Sequence, residues 1–356
     1  MNIISIIIIG TLYIYGFFLF YITYLAKQNN EKGAFINNFA NALVLTVSLT
    51  INLILTYILN NFQEEFLVFP FNFLMIGFIG LYLPLFYLFI SREKHRIINK
   101  NKSIERSEPK HYTELPLKYD IYRKLTHLVV LGIVLFYFTL GFLIQNFFIY
   151  IFEYIPDFIS NLFHIGGDIM SFTQNLVVFL VGISLLGLLT ADFVRILNPE
   201  IYPLKPVNQI LREKELHFRV GPHISMSIGC FSIIIIFGLI QPLGPIIICT
   251  SMIMSIFGDI ASNLIGRTMG NKRIRETNKT YEGLISGIIS SFISGLYLLF
   301  ILRNYFGFNL HILFLIPLVG SLIIGLLDYL DLEIDDNLSF NFTLSIILFF
   351  ITIPLL

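Results

Sequence analysis

Long runs of apolar residues alternate with short polar segments along almost the whole chain. A helix needs about 20 apolar residues to cross the hydrocarbon core of a bilayer. Ten runs approach that length, so the pattern predicts an all-α, polytopic integral membrane protein with about ten transmembrane helices. The predicted spans cover residues 3–25, 36–59, 66–90, 125–149, 175–190, 222–240, 244–265, 283–301, 312–327 and 340–356.

Two segments depart from this pattern. The apolar segment 150–174 is interrupted by Pro156 and by a Gly-Gly pair, which predicts an interfacial or re-entrant segment. Segment 91–117 is rich in charge and poor in apolar residues, which predicts a flexible, basic cytoplasmic linker. The linker would separate a three-helix N-terminal membrane region at residues 1–90 from a seven-helix catalytic domain at residues 118–356.

Composition agrees with a membrane protein and excludes a water-soluble one. Hydrophobic residues make up 56% of the 356, charged residues 13%, and mean hydropathy is +0.80. The formal net charge is zero, so nothing predicts a nucleic-acid partner. Cys230 and Cys249 both lie in apolar runs, so no disulfide framework or thiolate metal site is predicted. The apolar N-terminus lacks a basic segment and a cleavage site, and we interpret it as a retained span.

Basic residues occupy alternate connections between the predicted spans, which predicts the orientation of the chain. Of the 23 Lys and Arg residues, 22 lie in the connections 26–36, 91–124, 192–220 and 267–281. Because Lys and Arg accumulate in cytoplasmic loops, these connections and the acidic segment 328–337 are expected in the cytoplasm, with both termini outside. The membrane would be the plasma membrane of a prokaryote or the endoplasmic reticulum of a eukaryote.

The most distinctive polar segment ends the seventh predicted span and reads G-D-I-A-S-N-L-I-G-R at 258–267. A carboxylate in a membrane helix costs about 2.5 to 3.5 kcal/mol at mid-bilayer, so Asp259 requires a partner. Helical spacing forms one stripe of polar and small residues, namely Asp259, Ser262, Asn263 and Gly266. A polar contact between helices would explain Asp259, but Asn263 and Arg267 extend beyond such a contact, which favours a ligand site.

The next polar segment, K-T-Y-E-G at 279–283, begins the eighth predicted span. Cations beside a helix N-terminus are typical of phosphate sites, so Lys279 is predicted to be functional. Membrane anchoring explains the preceding basic residues Lys272, Arg273 and Arg275 equally well. Small residues recur every four positions and predict close packing on a neighbour such as the Asp259 helix; they are Gly283, Gly287, Ser291 and Gly295.

Three further polar sets belong to the same predicted face. Arg123, Lys124 and His127 begin the fourth span, where anchoring and a structural histidine are the alternatives to a functional role. Asp192 and Arg195 follow the fifth span and could simply pair with each other. A cluster between the last two spans exceeds what helix capping requires and suits Mg²⁺, which takes carboxylates and phosphates. Its members are Asp328, Asp331, Glu333, Asp335, Asp336 and Asn337.

Together these motifs resemble the polyprenol kinase family, which includes dolichol kinase and the phytol kinases. The resemblance covers residues 118–346 and rests on R-K-L-T-H at 123–127, on G-D-I-A-S-N-L-I-G-R, on K-T-Y-E-G and on D-D-N-L at 335–338. Segments 192–195 and 212–221 also resemble the central loop of that family. Asp328 departs from the pattern, which has Glu there, so the metal geometry could differ.

The resemblance implies a Mg²⁺-dependent lipid kinase that transfers phosphate from CTP to a long isoprenoid alcohol. Its partners would be the bilayer, CTP and the alcohol, and the oligomeric state is not predicted. The implied metal ligands are Asp259, Asp335, Asp336 and Asp328. The implied contacts with the CTP phosphates are Arg123, Lys124, Asn263, Arg267, Lys279 and Gly283. The implied catalytic residues are Asp259, Lys279 and Glu282, with His127 or Asp192 as the general base.

Two other functions fit the sequence less well. The CTP:phosphatidate cytidylyltransferase family shares a similar G-D-x-x-A-S-x-x-x-R segment, but the Lys-Asp pair and the Pro-Gly-His-Gly-Gly stretch expected after it are not present. A transporter would place its substrate site near the bilayer midplane between repeats. Here the polar residues gather at one predicted face, and no internal repeat is visible.

Overall fold

Helices make up nearly all of the chain in the computed structural model, which describes residues 3–59, 66–99, 115–155, 169–275, 277–306 and 309–353. Within these residues no strand is formed beyond one isolated bridge, between Arg273 and Thr280. The predicted all-α fold is therefore confirmed.

The helices follow the predicted apolar runs in order. The first three are α1 (Ile3–Gln28), α2 (Lys32–Leu59) and α3 (Phe71–Asn99). They are followed by α4 (Leu117–His127), α5 (Val129–Leu135), a π-helical turn (Phe136–Leu140), α6 (Gly141–Phe152) and α7 (Ile169–Leu197). After a 3₁₀ turn (Lys205–Ile210) come α8 (Glu213–Leu216), α9 (Pro222–Phe237), α10 (Leu243–Met269), α11 (Tyr281–Phe306), α12 (Leu310–Leu330) and α13 (Asp336–Thr352).

Eight of these helical segments are long and apolar enough to cross a membrane, and the stretch from Leu117 to Ile151 counts as one of them. Two shorter apolar helices, α9 and α13, coincide with the remaining predicted spans. The protein is therefore a multi-pass membrane protein.

Helix α9 is the centre of the bundle. Its 16 residues span about 24 Å, which is shorter than a bilayer core. All of its residues except His223 are buried, because α2, α7, α10 and α13 pack around it. A helix that is apolar on every side can be stable in such a position, since it exposes no face to water or lipid.

Helices α10 and α11 form the closest crossing in the vicinity of the polar motifs. A Cβ atom added to Gly283 would lie 2.6 Å from the Ser262 backbone oxygen, and one added to Gly287 would lie 3.0 Å from Ser262 Cβ. The Ser290 hydroxyl donates a hydrogen bond to the Phe257 carbonyl at 3.1 Å. The predicted packing of the small-residue stripe on the Asp259 helix is confirmed, because only glycine allows this approach.

The three N-terminal helices share one apolar core with the later helices. Buried asparagines on α2 face α9, where Asn41 Nδ2 donates to Ser225 Oγ at 3.0 Å and Asn52 Nδ2 donates to the Ile235 carbonyl at 2.6 Å. Polar side chains in a membrane bundle favour such contacts because lipid offers no hydrogen-bond partners. Residues 1–90 thus pack directly on residues 118–356.

Two predicted boundaries are corrected. Helix α7 begins at Ile169, so the end of the predicted re-entrant segment 150–174 belongs to a spanning helix, while residues 156–168 lie outside the described chain. This helix accommodates Gln174 because its side chain accepts from Tyr137 Oη at 2.5 Å and donates to the Ile234 carbonyl at 3.0 Å.

The predicted linker 91–117 is helical over its first part, since α3 continues to Asn99. The charged end of α3 is held by Glu93, which lies 3.8 Å from Arg96 and 3.7 Å from Lys205. Residues 100–114 of the predicted linker lie outside the described chain, and α4 begins at Leu117.

Candidate functional site

A polar cavity of about 690 Å³ lies at the end of the bundle where the basic connections meet. Its walls come from α4, from the segment before α9, from the end of α10, from the α10–α11 connection and from the segment before α13. The connection before α2 joins the same end, because Arg219 Nη1 contacts the Gly33 carbonyl at 3.5 Å. All five connections predicted to be cytoplasmic therefore contribute residues to one end of the molecule.

The cavity contains most of the residues implied by the family resemblance. Those that line it are Arg123, Lys124, Asp259, Asn263, Arg267, Lys279, Asp335 and Asp336. Those that do not line it are His127, Asp192, Glu282, Gly283 and Asp328. Motifs far apart in the chain are thus brought together, with several predicted members behind the cavity wall.

Asp259 joins α10 to α4. Its Oδ2 atom lies 2.5 Å from Lys124 Nζ and 3.5 Å from His127 Nδ1. Lys124 is therefore the partner that a carboxylate in a membrane helix requires. The His127 ring is buried, and its Nδ1 atom faces the Asp259 carboxylate.

Asp120, which the sequence analysis did not single out, organises three arginines of the cavity wall. It lies 2.8 Å from Arg267 Nη1, 3.1 Å from Arg123 Nη2 and 3.9 Å from Arg212 Nη2, and its side chain is 3% exposed. Arg267 also donates to the Leu115 carbonyl at 2.7 Å. The spacing of Asp120 and Arg123, three residues apart on one helix, was the available signal. Arg123 and Arg267 are consequently engaged by a buried carboxylate.

Asp192 and Arg195 form a buried pair behind the cavity, as the simpler interpretation of their spacing predicted. Asp192 Oδ1 lies 2.5 Å from Arg195 Nε, and Asp192 Oδ2 accepts from the Gly221 backbone at 3.2 Å. Arg195 donates to the carbonyls of Glu215 at 2.7 Å and Arg219 at 2.8 Å. The pair therefore holds the segment 212–221 in place and is separated from the cavity.

Lys279 is surrounded by three carboxylates. Its Nζ atom lies 2.9 Å from Asp328 Oδ1, 3.1 Å from Asp331 Oδ1 and 3.2 Å from Asp336 Oδ2. Burial disfavours the charged ammonium, but the carboxylates of Asp336, Asp328 and Asp331 outweigh it and hold the pKa of Lys279 above its ordinary value. The Ser262 hydroxyl orients Asp328 by donating to its Oδ2 at 2.8 Å. Lys279 thus joins the α10–α11 connection to the acidic cluster.

The resemblance implies that carboxylates of the acidic cluster and Asp259 bind Mg²⁺. Among the described residues, no group of three His, Cys, Asp or Glu side chains is arranged to hold a metal by itself. Asp335 caps α13, accepting from Asn337 N at 3.0 Å. Asp259 and Asp336 both line the cavity, and their negative charges repel each other. Because Mg²⁺ in phosphate sites takes one or two carboxylates plus phosphate oxygens, these are the two carboxylates that would have to hold a Mg²⁺ entering with a nucleotide.

Glu282 and Gly283 shape the α10–α11 connection and do not line the cavity. The Glu282 carboxylate accepts from the Lys272 backbone at 3.2 and 3.3 Å. Gly283 N donates to Thr280 Oγ1 at 3.2 Å and lies at the crossing with α10. Both residues thus stabilise the connection that contains Lys279, and their implied roles in catalysis and nucleotide binding remain predictions.

Two residues of α2 support the site, and neither was predicted from the sequence. Asn38 Nδ2 donates to the Phe218 carbonyl at 2.7 Å, and its Oδ1 accepts from Val220 N at 2.9 Å. Asn37 Oδ1 accepts from Asp335 N at 2.9 Å. The only signal was a pair of asparagines at the start of an apolar run.

Comparisons with known proteins add no assignment, since the chain matches no family model, no curated protein and no solved structure. The resemblance to polyprenol kinases remains a prediction from the motifs.

Proposed function

We propose that this protein is a CTP-dependent kinase that phosphorylates a long-chain isoprenoid alcohol at the cytoplasmic face of the membrane. One observation carries the proposal: four motifs separated along the chain converge on one polar cavity at the end of a membrane-embedded bundle. A volume of about 690 Å³ is within the range of small-molecule sites.

Phosphoryl transfer requires positioning and charge neutralisation more than covalent chemistry from the protein. The cavity supplies amide and cationic groups for the nucleotide, including Asn263, and the carboxylates Asp259 and Asp336 would hold the Mg²⁺ that accompanies CTP. The alcohol oxygen would attack the γ-phosphorus, forming one P–O bond while the bond to the departing CDP breaks.

The hydroxyl proton requires an acceptor, for which the sequence offered His127 and Asp192. Asp192 is engaged by Arg195 and by the Gly221 backbone. The Nδ1 atom of His127 lies 3.5 Å from Oδ2 of Asp259, which lines the cavity. These contacts favour His127 as the general base.

The outer surface of α4 and α5 is apolar and would let a lipid substrate approach the cavity from the bilayer. Ile121, Leu125 and Val129 recur at helical spacing and are 40%, 51% and 74% exposed. On a membrane-spanning segment such a surface contacts lipid tails. An isoprenoid tail could therefore remain in the bilayer while its hydroxyl reaches the region of Lys124 and His127.

The proposal is tested with CTP labelled at either the α or the γ phosphate, supplied with Mg²⁺ to the full-length protein in lipid vesicles. The acceptors are prenols of different length and saturation, phytol, geranylgeraniol and phosphatidate. Label that reaches a prenol only from the γ position is expected. Label that reaches phosphatidate from the α position would instead identify a cytidylyltransferase, and transfer to neither acceptor would contradict both assignments.

A further inference from the structure

Eight basic side chains line the cavity. They fall into two groups according to whether a carboxylate oxygen of the protein lies close to the charged group. Four have a carboxylate oxygen within 3.4 Å, namely Arg123, Lys124, Arg267 and Lys279. An incoming phosphate would have to compete with these ion pairs. The cations implied by the family motifs are therefore largely committed within the protein.

The other cations are Arg212, Lys214, Arg219 and Arg273. Arg212 has only a distant carboxylate, 3.9 Å away in Asp120. The described residues place no carboxylate within 4.0 Å of Lys214, Arg219 or Arg273. Three of the four, Arg212, Lys214 and Arg219, belong to one short segment before α9.

The positive charges on this segment repel one another. The pKa of Lys214 lies below its ordinary value, because the cavity walls partly desolvate its ammonium group and because Arg219 and Arg212 lie nearby. Glu215 and Glu333 oppose this effect without overcoming it. A bound anion would relieve the repulsion, since opposite charge favours the charged form of each group.

The segment is also held rigidly from behind. Arg219 is buried, donates to the Glu333 carbonyl at 3.0 Å, and has an Nε atom without a partner among the described residues. Its own carbonyl accepts from Arg195 at 2.8 Å. These bonds fix the backbone at Arg219 and its guanidinium group before any ligand binds.

We infer that Arg212, Lys214 and Arg219 form a phosphate-binding subsite that takes the phosphate chain of a polyanionic ligand. Planar guanidinium groups and an ammonium group suit phosphate oxygens, and the exposed Lys214 is accessible to a ligand entering the cavity. The assignment of that ligand as CTP rests on the proposed function. The same chemistry would also accept the phosphate of a lipid product.

The test compares Lys214→Gln with Lys214→Arg and with Lys272→Gln in the full-length protein. Lys272 is a matched control, because it is an exposed lysine at the same end of the molecule and its side chain does not line the cavity. Binding of inorganic tripolyphosphate is measured by calorimetry without catalysis. We expect Lys214→Gln to weaken binding roughly tenfold, Lys214→Arg to retain most of it and Lys272→Gln to leave it unchanged.

Two further measurements identify the source of the phosphate. A rise in KM for CTP in Lys214→Gln, with KM for prenol unchanged, assigns the subsite to the nucleotide. Weaker inhibition by a prenyl monophosphate in vesicles, with KM for CTP unchanged, assigns it to the lipid phosphate.

The subsite is overturned if Lys214→Gln binds tripolyphosphate, CTP and prenyl monophosphate as the unsubstituted protein does. Because tripolyphosphate binding needs no turnover, this result is distinct from a failure of the proposed function. Lys214-dependent binding without transfer of label would reject the kinase and keep the subsite. Transfer of label to prenol with no effect of Lys214→Gln would keep the kinase and reject the subsite.

Discussion

The carboxylate of Asp259 stabilises the packing of α10 on α4 and is also the proposed ligand of Mg²⁺. The first role is visible in its 2.5 Å contact with Lys124. Removing either partner of a buried ion pair leaves an uncompensated charge, which costs roughly 3 kcal/mol or more. A loss of stability in an Asp259 variant therefore does not by itself reveal the chemical role.

The Mg²⁺ dependence of the rate separates the two roles. We expect Asp259→Asn to lower the melting temperature and to abolish nearly all prenol phosphorylation, with partial recovery at high Mg²⁺ or with Mn²⁺, because an amide is a poor ligand for a hard cation. Lys124→Gln breaks the same ion pair and should lower the melting temperature similarly, but the Mg²⁺ concentration needed for half-maximal rate should not rise, because Asp259 keeps its charge and loses a competing cation. If Asp259→Asn turns over prenol at close to the normal rate, the metal assignment is wrong.

Helix α2 connects the N-terminal helices to the site. Its buried Asn38 satisfies the Phe218 carbonyl and the Val220 amide, and Asn37 satisfies the Asp335 amide. These bonds hold the segments before α9 and α13, both of which form cavity walls. Helix α2 therefore supports the cavity, although it contains none of the recognised motifs.

Substitution of Asn38 tests this support. In Asn38→Ala two backbone groups lose their partners, at a cost of about 1 to 3 kcal/mol for each buried group. We expect a lower melting temperature and faster tryptic cleavage after Arg212, Lys214 or Arg219 in the released segment. Asn29→Ala is the control, because Asn29 is exposed just after α1 and its side chain, among the described residues, bonds only to the nearby Leu25 carbonyl. Equal melting and cleavage of the two variants would refute the supporting role of Asn38.

The charged residues that line the cavity lie at one end of the molecule. Asn271 and the 42%-exposed Leu332 lie at the cavity end, whereas His311 and Tyr154 lie near the opposite ends of their helices. The distribution of basic residues predicts that the cavity end faces the cytoplasm.

Labelling of single cysteines with a membrane-impermeant maleimide tests this orientation. Cys230 and Cys249 are buried and are replaced first. Cysteines at 271 and 332 should react only in inside-out vesicles, and cysteines at 311 and 154 only in right-side-out vesicles. The reverse pattern would place the cavity outside, and a split between 271 and 332 would separate the cavity walls across the membrane.

The sequence by itself determined the helical class, the order of the membrane segments and the close packing along the glycine stripe. The physical reason is that a bilayer leaves backbone groups without water, so an apolar run of sufficient length must form a helix. The same local pattern identified Asp259, Lys279 and the acidic cluster as exceptional, because charges near a membrane require partners.

Only the tertiary structure decided which partners those charges have. The pairing of Asp259 with Lys124, the contacts of Asp120 with Arg267 and Arg212, and the bonds of Asn38 all join segments distant in the chain. The burial of Gln174 in α7 likewise depends on the partners that its side chain finds on other helices. Periodicity records which face of a helix is apolar, but it contains no information on which helices become neighbours. Apart from the local pair of Arg123 with Asp120, the division of the cavity cations into those with and those without a close carboxylate therefore follows from helix packing.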